Sequence, residues 1–400
     1  MPGTFDNSRR RFLQAGSLAG VSLLAASCGG GNNAPANQTG NNTAENPPSG
    51  APAKLGTVVG GGKMADEAGA TQFFVGMVDL DVAAPAGVSI PGIGFWGHGF
   101  TPRIDKPHVV LLTEKHGQGC CEVDLLQRKV LRRVKTVAGR EFYGHSAFSP
   151  DGKLWYCTEA ETGDESYHGV LAVRDADSLE LRDETFPTHG VAPHDCILID
   201  DGDTLVITNG GGRLERDDEL PCVAYVDVKS GEKRRLLQFK DKRINAGHIA
   251  MTSRGELVCV SAPREGIPTS DPSHLGAISF YDPAKDAVTT ADDPIRARMK
   301  GETLSVAINE KTMVVGATNP AGHIVTFWDF RSGKLVKHYE DFKSPRGISM
   351  TLDGKYFVLT HDQQTHLTLI DAETLEPQGK PLVETSYITG SHNFVFDLPA

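Results

Sequence analysis

The sequence lacks most of the short motifs from which an activity is commonly inferred. It contains no Gly-x-Ser-x-Gly elbow, no phosphate-binding loop, no Cys-x-x-Cys pair and no haem-attachment motif. Basic residues are also few, because 40 Lys and Arg stand against 51 Asp and Glu and give a formal net charge of −11. This balance argues against a nucleic-acid partner, which requires a clustered basic face.

Cysteine is scarce as well, with 7 in 400 residues. Apart from Cys28 the number is even, which permits disulfides in an exported protein without fixing their connectivity. Cys157 and Cys259 stand in apolar segments and are better explained as small core residues. After the first 30 residues no apolar run reaches membrane-spanning length and long helical periodicity is absent, while 44 glycines indicate many short strands and turns.

The first 28 residues read as an export signal. Arg9 and Arg10 lie in Ser8-Arg-Arg-Arg-Phe-Leu-Gln14, which precedes a short apolar run and resembles a twin-arginine signal. The run ends in Leu24-Ala-Ala-Ser-Cys28, which resembles a lipoprotein cleavage box, although Ala25 stands where such boxes usually have Leu. We predict that the protein is exported after folding and is lipidated at Cys28.

Residues 29–69 are predicted to form a flexible tether. The segment is rich in Gly, Asn, Ala and Pro and offers little apolar surface to bury. A lipidated Cys28 followed by this tether would hold a domain comprising residues 70–400 at a membrane surface in the periplasm.

An internal repeat determines the predicted fold. A short apolar segment that ends in Asp recurs at intervals of 42 to 55 residues, at Asp79, Asp124, Asp175, Asp227, Asp282, Asp329 and Asp371. Several of these residues lead into tight turns, where a carboxylate can accept backbone N–H bonds, so we interpret them as structural. A second motif of strand, turn and strand lies between them, with its clearest copy at residues 145–157. Four strands in each 40 to 50 residues are typical of a β-propeller blade.

The repeats predict an all-β, seven-bladed β-propeller that forms one domain. Residues 73–79 and 86–90 supply outer strands without an inner strand, and residues 392–396 supply an inner strand without outer ones. Pairing of the two ends of the chain would therefore complete the seventh blade and remove exposed sheet edges.

Alignment of the inner strands places histidine at one position in five of the seven blades. The residues at this position are His98, His145, His194, His248, Ser305, Gly347 and His392. The five histidines are consecutive around the ring, since the blade of His392 neighbours that of His98. We expect them to form an arc at one mouth of the central channel.

Two interpretations of this arc remain open. Gly-His pairs are structural in WD-repeat propellers, but these histidines lie within the strand rather than in the loop before it. Imidazole is a common metal ligand, and a converging set could bind copper, zinc or iron. Glu159, Asp195, Asn209 and Ser305 are possible additional ligand contacts. Other histidines fall in loops or outer strands and are expected to be solvated: His116, His168, His274 and His338.

The chain also resembles a known family, the bacterial propeller proteins of domain-of-unknown-function family 1513. The resemblance covers about residues 70–396 and is carried by Phe142–Gly152, Thr158-Glu159, Pro193-His-Asp195, Thr208-Asn-Gly-Gly211, Ala246–Ala250 and Ser305-Val-Ala307. Arg213–Glu219 replaces a longer family insert. Members are often exported, and their genes often lie near those of imelysin-like, iron-related periplasmic proteins and haem-containing oxidoreductases. The resemblance therefore implies a periplasmic role linked to metal uptake, without naming a reaction.

The sequence leaves three functional hypotheses. The preferred one is a monomeric, membrane-tethered propeller with no catalytic residues, which binds a metal ion or metal complex and exchanges it with periplasmic uptake or redox proteins. The second is an enzyme, either a metal-dependent redox enzyme or a lactonase-like hydrolase. The third is a protein-interaction scaffold in which the histidines are structural. Fold alone cannot choose among them.

Overall fold

The computed structural model describes residues 53–163, 167–362 and 365–399. The predicted export residues Arg9 and Arg10, the lipidation residue Cys28 and most of the predicted tether lie outside these residues. In the part of the chain that the structure describes, the helices are two short 3₁₀ turns, Asp200–Gly202 and Pro294–Arg298. None of its helices has the length and apolar character that crossing a membrane requires.

Twenty-seven strands form seven small antiparallel sheets within the described residues. The chain begins with β1 (Thr57–Ala65), β2 (Thr71–Asp79) and β3 (Gly87–Pro91). Blade 1 contains β4 (Gly97–Pro102), β5 (Val109–Glu114), β6 (Gly119–Asp124) and β7 (Lys129–Lys135). Blade 2 contains β8 (Arg140–Phe148), β9 (Leu154–Glu161), β10 (His168–Asp175) and β11 (Leu181–Val191). Blade 3 contains β12 (Pro193–Ile199), β13 (Thr204–Asn209), β14 (Cys222–Asp227) and β15 (Lys233–Gln238).

Blades 4 to 6 follow in the same way, and the last strand returns to the first. Blade 4 contains β16 (Ile249–Met251), β17 (Leu257–Ser261), β18 (Ala277–Asp282) and β19 (Ala287–Thr290). Blade 5 contains β20 (Ser305–Asn309), β21 (Val314–Asn319), β22 (Ile324–Asp329) and β23 (Lys334–Tyr339). Blade 6 contains β24 (Ile348–Met350), β25 (Tyr356–His361) and β26 (His366–Asp371). Blade 6 has three strands, and isolated bridges from Leu367 to Val383 and from Ile370 to Pro377 stand where its fourth would lie. β27 (Phe394–Phe396) completes the closing blade, whose strand order is β27-β1-β2-β3.

The closing blade confirms that the two ends of the chain pair, and it also corrects a boundary. β27 pairs antiparallel with β1, so that Val395 opposes Val58. β1 lies in the segment 29–69 that the sequence analysis assigned to the tether, so the propeller begins near Thr57 rather than at residue 70. Three consecutive glycines, residues 60–62, gave this strand the composition of a linker.

The repeated aspartates act as the sequence predicts. Each ends the third strand of its blade, and its carboxylate accepts backbone N–H bonds in the turn that follows. The N–H of Ser178 donates to Oδ1 of Asp175 over 2.8 Å, and Ser230 donates in the same way to Asp227 over 2.8 Å. These carboxylates hold the outer hairpins together and lie away from the channel.

Seven apolar clusters hold the blades together, one between each pair of neighbours. Successive residues of a strand alternate between the two adjacent clusters, as Leu205 packs against blade 2 while Val206 packs against blade 4. The middle strands are therefore apolar on both faces. All six cysteines of the described residues are buried and free, which confirms the core role predicted for Cys157 and Cys259.

Candidate metal centre

The five histidines lie where the inner strands begin, as the repeat predicts. In blades 1 to 3 the ladder between the inner strand and its neighbour is interrupted at this point, because register shifts span residues 97–99, 142–146 and 193–196. His98, His145 and His194 therefore sit at β-bulges, which redirect side chains. His248 immediately precedes the short inner strand of its blade, and His392 lies two residues before β27.

Glycine next to these histidines allows the inner strands to approach closely. A Cβ on Gly144 would lie 2.3 Å from the carbonyl oxygen of His194, and a Cβ on Gly99 would lie 2.5 Å from the carbonyl oxygen of Gly144. No side chain fits such spaces without a backbone shift. Gly99 and Gly144 thus allow the imidazoles of neighbouring blades to lie side by side.

The five imidazoles form one compact cluster. The ring centroids of His248 and His392 are 3.8 Å apart, those of His194 and His248 are 4.2 Å apart, and the other pairs involving His98 or His145 lie within 5.8 Å. All five side chains are buried, with exposed fractions of 4–7%. The arc predicted from the repeat is thus a compact, buried cluster in which the rings contact one another.

Four of the five residues offer ligand atoms that could hold one metal ion. One nitrogen from each of His98, His145, His248 and His392 lies within 4.8 Å of the others. His194 adjoins this set, since its Nε2 lies 2.5 Å from Nε2 of His248. A cavity of about 30 Å³ borders His145, His248 and His392, which is enough space for a water molecule or a metal ion.

The partners of the ring nitrogens distinguish this cluster from an ordinary buried network. Nε2 of His145 and Nε2 of His392 are buried and have no hydrogen-bond partner among the described residues. Their other nitrogens face polar groups: Nδ1 of His145 lies 3.6 Å from Oδ1 of Asp195, and Nδ1 of His392 lies 3.2 Å from Oγ of Ser305. Outer partners on Nδ1 with Nε2 left free are the arrangement found in metal-binding histidines.

Asp195 and Ser305 are thus brought to the cluster as polar neighbours of the ring nitrogens, Ser305 at hydrogen-bond distance and Asp195 slightly beyond it, rather than as members of the ligand set. Asp195 is itself fixed, because its carboxylate accepts from the N–H groups of Cys196 (2.8 Å) and Ile249 (3.0 Å). Oγ of Ser305 lies 3.2 Å from the N–H of Ile348, which donates to it. Both residues tie the neighbouring inner strand to the histidine they support.

Burial controls the protonation of the cluster. It lowers the pKa of His145, and it lowers the pKa values of His98, His194, His248 and His392 well below 6.5, with the neighbouring imidazoles acting in the same direction on several of them. Burial also raises the pKa of Asp195. The imidazoles are therefore neutral at pH 7, which is the form that binds a metal ion.

The structure places Glu159 and Asn209 away from the cluster. Oε1 of Glu159 accepts from Nη2 of Arg174 over 2.6 Å, and Oδ1 of Asn209 accepts from Oγ1 of Thr188 over 2.7 Å. Each follows a threonine that faces the inner strand, so strand alternation turns the next side chain to the opposite sheet face. Their carboxylate and amide groups stabilise the blades.

Those threonines form a repeat that the sequence analysis missed. The second strand of six blades carries a buried hydroxyl residue near its end: Thr113, Thr158, Thr208, Ser261, Thr318 and Thr360. Thr113 Oγ1 donates to the carbonyl of Gly144 over 2.6 Å, and Thr158 Oγ1 donates to the carbonyl of His145 over 2.9 Å. The recurrence of Thr-Glu, Thr-Asn and Thr-His pairs in the second strands was the signal available for them.

A larger cavity of about 310 Å³ leads to the cluster at His194. Its wall includes Lys115, His116, Tyr143 and Glu302, none of which the sequence analysis connected with the histidines. The side chain of His116 is 49% exposed, as expected for a loop residue, but it also borders this cavity and stacks edge-on against Tyr143 at 4.4 Å. Burial lowers the pKa of Lys115 and raises that of Tyr143.

The donor set limits the chemistry of the site. Neutral imidazole nitrogens suit zinc, copper, iron and nickel, whereas thiolate ligands would be needed for the softest metal sites. Cysteine supplies none here, because the group that could hold an ion in the described part of the chain consists of histidine alone. The cluster can therefore bind a transition ion of borderline softness through nitrogen.

Solved structures with this architecture are β-propellers of diverse kinds. Hydrazine synthase of Kuenenia stuttgartiensis is similar with a TM-score of 0.56 and 16% identity, over 76% of this chain and 92% of that chain. The propeller domain of Cps50 (Swd1) from Myceliophteria thermophila is similar with a TM-score of 0.53 and 14% identity, over 79% and 98%. A chain of a mitotic checkpoint complex has a TM-score of 0.54 and 12% identity, over 76% and 88%. At these identities the likeness concerns the fold alone.

Sequence comparison gives a narrower result. No protein of curated function matches the chain. One family model matches residues 93–384, which include four of the five histidines, Asp195 and Ser305. Together with the seven blades, this match shows that the chain belongs to the family of proteins of unknown function DUF1513.

Proposed function

We propose that the protein is a periplasmic, membrane-tethered β-propeller that binds a transition-metal ion at the histidine cluster and has an accessory, non-enzymatic role in metal uptake. The tether and the location rest on the sequence around Arg9, Arg10 and Cys28. The proposed role in metal uptake, and iron as the metal taken up, rest on the family resemblance. The metal site rests on the geometry of the described residues.

The observation that carries the proposal is the pair of unpartnered nitrogens. Nε2 of His145 and Nε2 of His392 are buried without a hydrogen bond, in a group whose four ligand nitrogens lie within 4.8 Å of one another. An unsatisfied buried polar atom costs about 1–3 kcal/mol, so two of them at one point need a compensating partner. A metal ion accepts both lone pairs at once.

A purely structural role explains the cluster less well. Blades 5 and 6 carry Ser305 and Gly347 at the same position and still form antiparallel sheets with an inner strand. The inner strand therefore does not need an imidazole. Structural histidines would also be expected to satisfy both ring nitrogens within the protein.

The donor set ranks the metals. For a site of neutral imidazoles, affinity follows the general order in which copper exceeds zinc and ferrous iron. The carboxylate of Asp195 behind His145 resembles the outer carboxylates that orient histidine ligands in metal sites. Copper or zinc should therefore bind more tightly than ferrous iron in vitro, whichever metal the protein carries in the cell.

One observation favours an enzyme as the second candidate. The cavity of about 310 Å³ beside His194 is large enough for a small molecule and brings polar side chains close to the cluster. A metal-dependent redox enzyme or hydrolase would need such a space. Turnover of a small molecule by the metal-loaded protein would favour this candidate over simple binding.

Metal analysis and calorimetric titration test the proposal. Protein purified without chelators should contain metal, and the stripped protein should bind Cu²⁺ or Zn²⁺ at one site. In the double variant His145→Ala/His392→Ala the two unpartnered nitrogens are gone, so tight binding should be lost. The loss should exceed the roughly 10- to 100-fold expected for an outer partner alone.

The matched control is a second double variant that also loses two histidines, but outside the cluster. His168 and His338 are exposed on outer strands, so the double variant His168→Ala/His338→Ala should bind as the wild type does. Thermal melting of all three proteins checks the fold. Equal metal affinity in both double variants, or no binding by the wild type, would contradict the proposal.

A further inference from the structure

The cavity beside the cluster has an unusual balance of charges. Its wall carries Lys115, Glu302 and Glu265, and Arg346 lies close enough for the charge of Glu302 to act on it as well as on Lys115. Glu265 is engaged by Arg213, with Nη1 and Oε1 3.1 Å apart. Two cationic side chains, Lys115 and Arg346, therefore lie within electrostatic range of Glu302.

A bound divalent ion would add charge that nothing nearby compensates. The five imidazoles are neutral ligands, and Asp195 is the one carboxylate among the described residues found in contact with the cluster. Lys115 and Arg346 equal Asp195 and Glu302 in number, while the other carboxylates near the cavity, Glu141 and Glu265, face His116 and Arg213. The group of residues that could hold the ion contains no carboxylate, so its ligands provide no counter-charge for the metal ion. A buried charge that is not paired is costly, so the loaded site needs an anion.

The cavity also offers hydrogen-bond donors that are not in use. Among the described residues, neither the amine of Lys115 nor the hydroxyl of Tyr143 forms a hydrogen bond or an ion pair, although both residues line the cavity. A lysine amine donates in either protonation state, and a tyrosine hydroxyl is a donor. His194 forms the boundary between these groups and the cluster.

We propose that this cavity binds a small carboxylate-class anion, carbonate or an organic monocarboxylate, which accepts from Lys115 and Tyr143 and neutralises the metal ion at the histidine cluster. The inference rests on the proposed metal site and deepens it. The protein would take up the ion and the anion together, and each would strengthen the binding of the other. Such coupling is reciprocal and commonly amounts to about 5- to 150-fold in affinity.

Zinc titration in defined anions tests this proposal. The metal-stripped protein is titrated with Zn²⁺ by calorimetry at pH 7.5 in carbonate-free buffer with sodium chloride, and again with sodium formate or sodium bicarbonate at the same ionic strength. We expect about tenfold or more gain in Zn²⁺ affinity with at least one carboxylate-class anion. The formate and bicarbonate arms distinguish an organic acid from inorganic carbonate.

Variants at Lys115 connect the effect with the cavity. Lys115→Met keeps the chain length but removes the amine, so it should lose the gain from the anion and bind Zn²⁺ in chloride at least as well as the wild type. Lys115→Arg retains a cationic donor and should keep the gain. Lys106→Met is the control, because Lys106 is an exposed lysine whose Nζ lies 3.4 Å from Asp105.

The outcomes separate this inference from the proposed function. If Zn²⁺ binds with the same affinity in chloride, formate and bicarbonate, the anion site is refuted while the metal site stands. The same conclusion follows if folded Lys115→Met keeps the full gain. If Zn²⁺ does not bind in any of the three buffers, the metal site itself is refuted.

Discussion

The ring divides into two unequal arcs that share one backbone and differ in chemistry. The closing blade and blades 1 to 4 place histidine at the start of the inner strand, whereas blades 5 and 6 place Ser305 and Gly347 there. The imidazoles of different blades meet in the centre of the ring, since the ring of His248 lies 5.3 Å from that of His145 and 3.8 Å from that of His392. The smaller arc provides the space into which the larger arc extends.

The difference shows which property each arc contributes. A Cβ on Gly347 would lie 2.5 Å from the backbone nitrogen of Asn393 and 2.9 Å from the carbonyl carbon of His392. Ser305 is small enough to approach His392 and polar enough to hold its Nδ1. The histidine arc therefore supplies the ligand atoms, and the small arc supplies their room and orientation.

The largest expected effect comes from filling the small arc. Gly347→Ala introduces a methyl group against the backbone of the closing blade, so we expect it to lower the free energy of unfolding by about 1–3 kcal/mol. It should also weaken metal binding, because His392 adjoins the displaced backbone. Denaturant unfolding of the metal-free protein measures the first effect.

Gly163→Ala is the control for that variant, since a Cβ at this exposed glycine would meet no atom within 4 Å. It should leave the free energy of unfolding nearly unchanged. If Gly347→Ala were equally silent, the close fit between the two arcs would not matter for stability.

An intermediate effect is expected from the supports of the ligands. Ser305→Ala removes the partner of His392 Nδ1, and Asp195→Asn removes the charge beside His145 Nδ1. Loss of such partners typically costs about 10- to 100-fold in metal affinity, so each variant should bind Zn²⁺ that much more weakly. Ser349→Ala is the matched control, because Ser349 is a buried serine of the neighbouring inner strand whose hydroxyl has no partner among the described residues. Equal affinity in Ser305→Ala and Ser349→Ala would contradict the role given to Ser305.

These supports mark the limit of what the sequence could predict. The repeat alone fixes which residue starts each inner strand, and this was enough to predict seven blades and five converging histidines. It could not predict that Asp195 and Ser305 would face Nδ1 atoms from other blades, because such contacts depend on bulges and on the distances between strands. Strand alternation could have excluded Glu159, had the repeated threonine before it been recognised.

The cavity and the first strand escaped prediction for different reasons. Lys115, Tyr143 and Glu302 come from separate blades, and no periodicity in the chain relates them. β1 was missed because its glycines resemble a linker, although Val58 and Val59 are fully buried in the clusters on its two faces. The sequence therefore determined the periodic part of the site and left its surroundings open.

The smallest expected effect concerns a histidine of the small arc that does not belong to the cluster. His361 in blade 6 is buried, its Nε2 lies 2.9 Å from Oγ1 of Thr368, and burial lowers its pKa to about 4. The unfolded chain has the ordinary value near 6.5, so it binds the proton more readily, and stability is lost as the pH falls from about 6.5 towards 4. Between pH 7.5 and 5.5 this residue should cost about 1 kcal/mol.

His361→Gln tests this expectation, because glutamine keeps a polar group without titrating. Its loss of stability between pH 7.5 and 5.5 should be smaller than that of the wild type by about 1 kcal/mol, while Zn²⁺ affinity at pH 7.5 is unchanged. A parallel pH dependence of unfolding in the two proteins would show that the imidazole of His361 does not remain neutral in the folded state.

The pairing of β27 with β1 has a consequence for the order of folding and metal binding. His392 precedes the strand that seals the ring, while His98 and His145 belong to the first two blades. An ion bound by these residues would connect the last strand of the chain with the first two blades. Its binding would add about 4 kcal/mol of stability at a free concentration 1,000 times the dissociation constant. Metal binding would then require a closed ring and would stabilise it. A ring in which β27 is not paired with β1 would not bind the ion tightly.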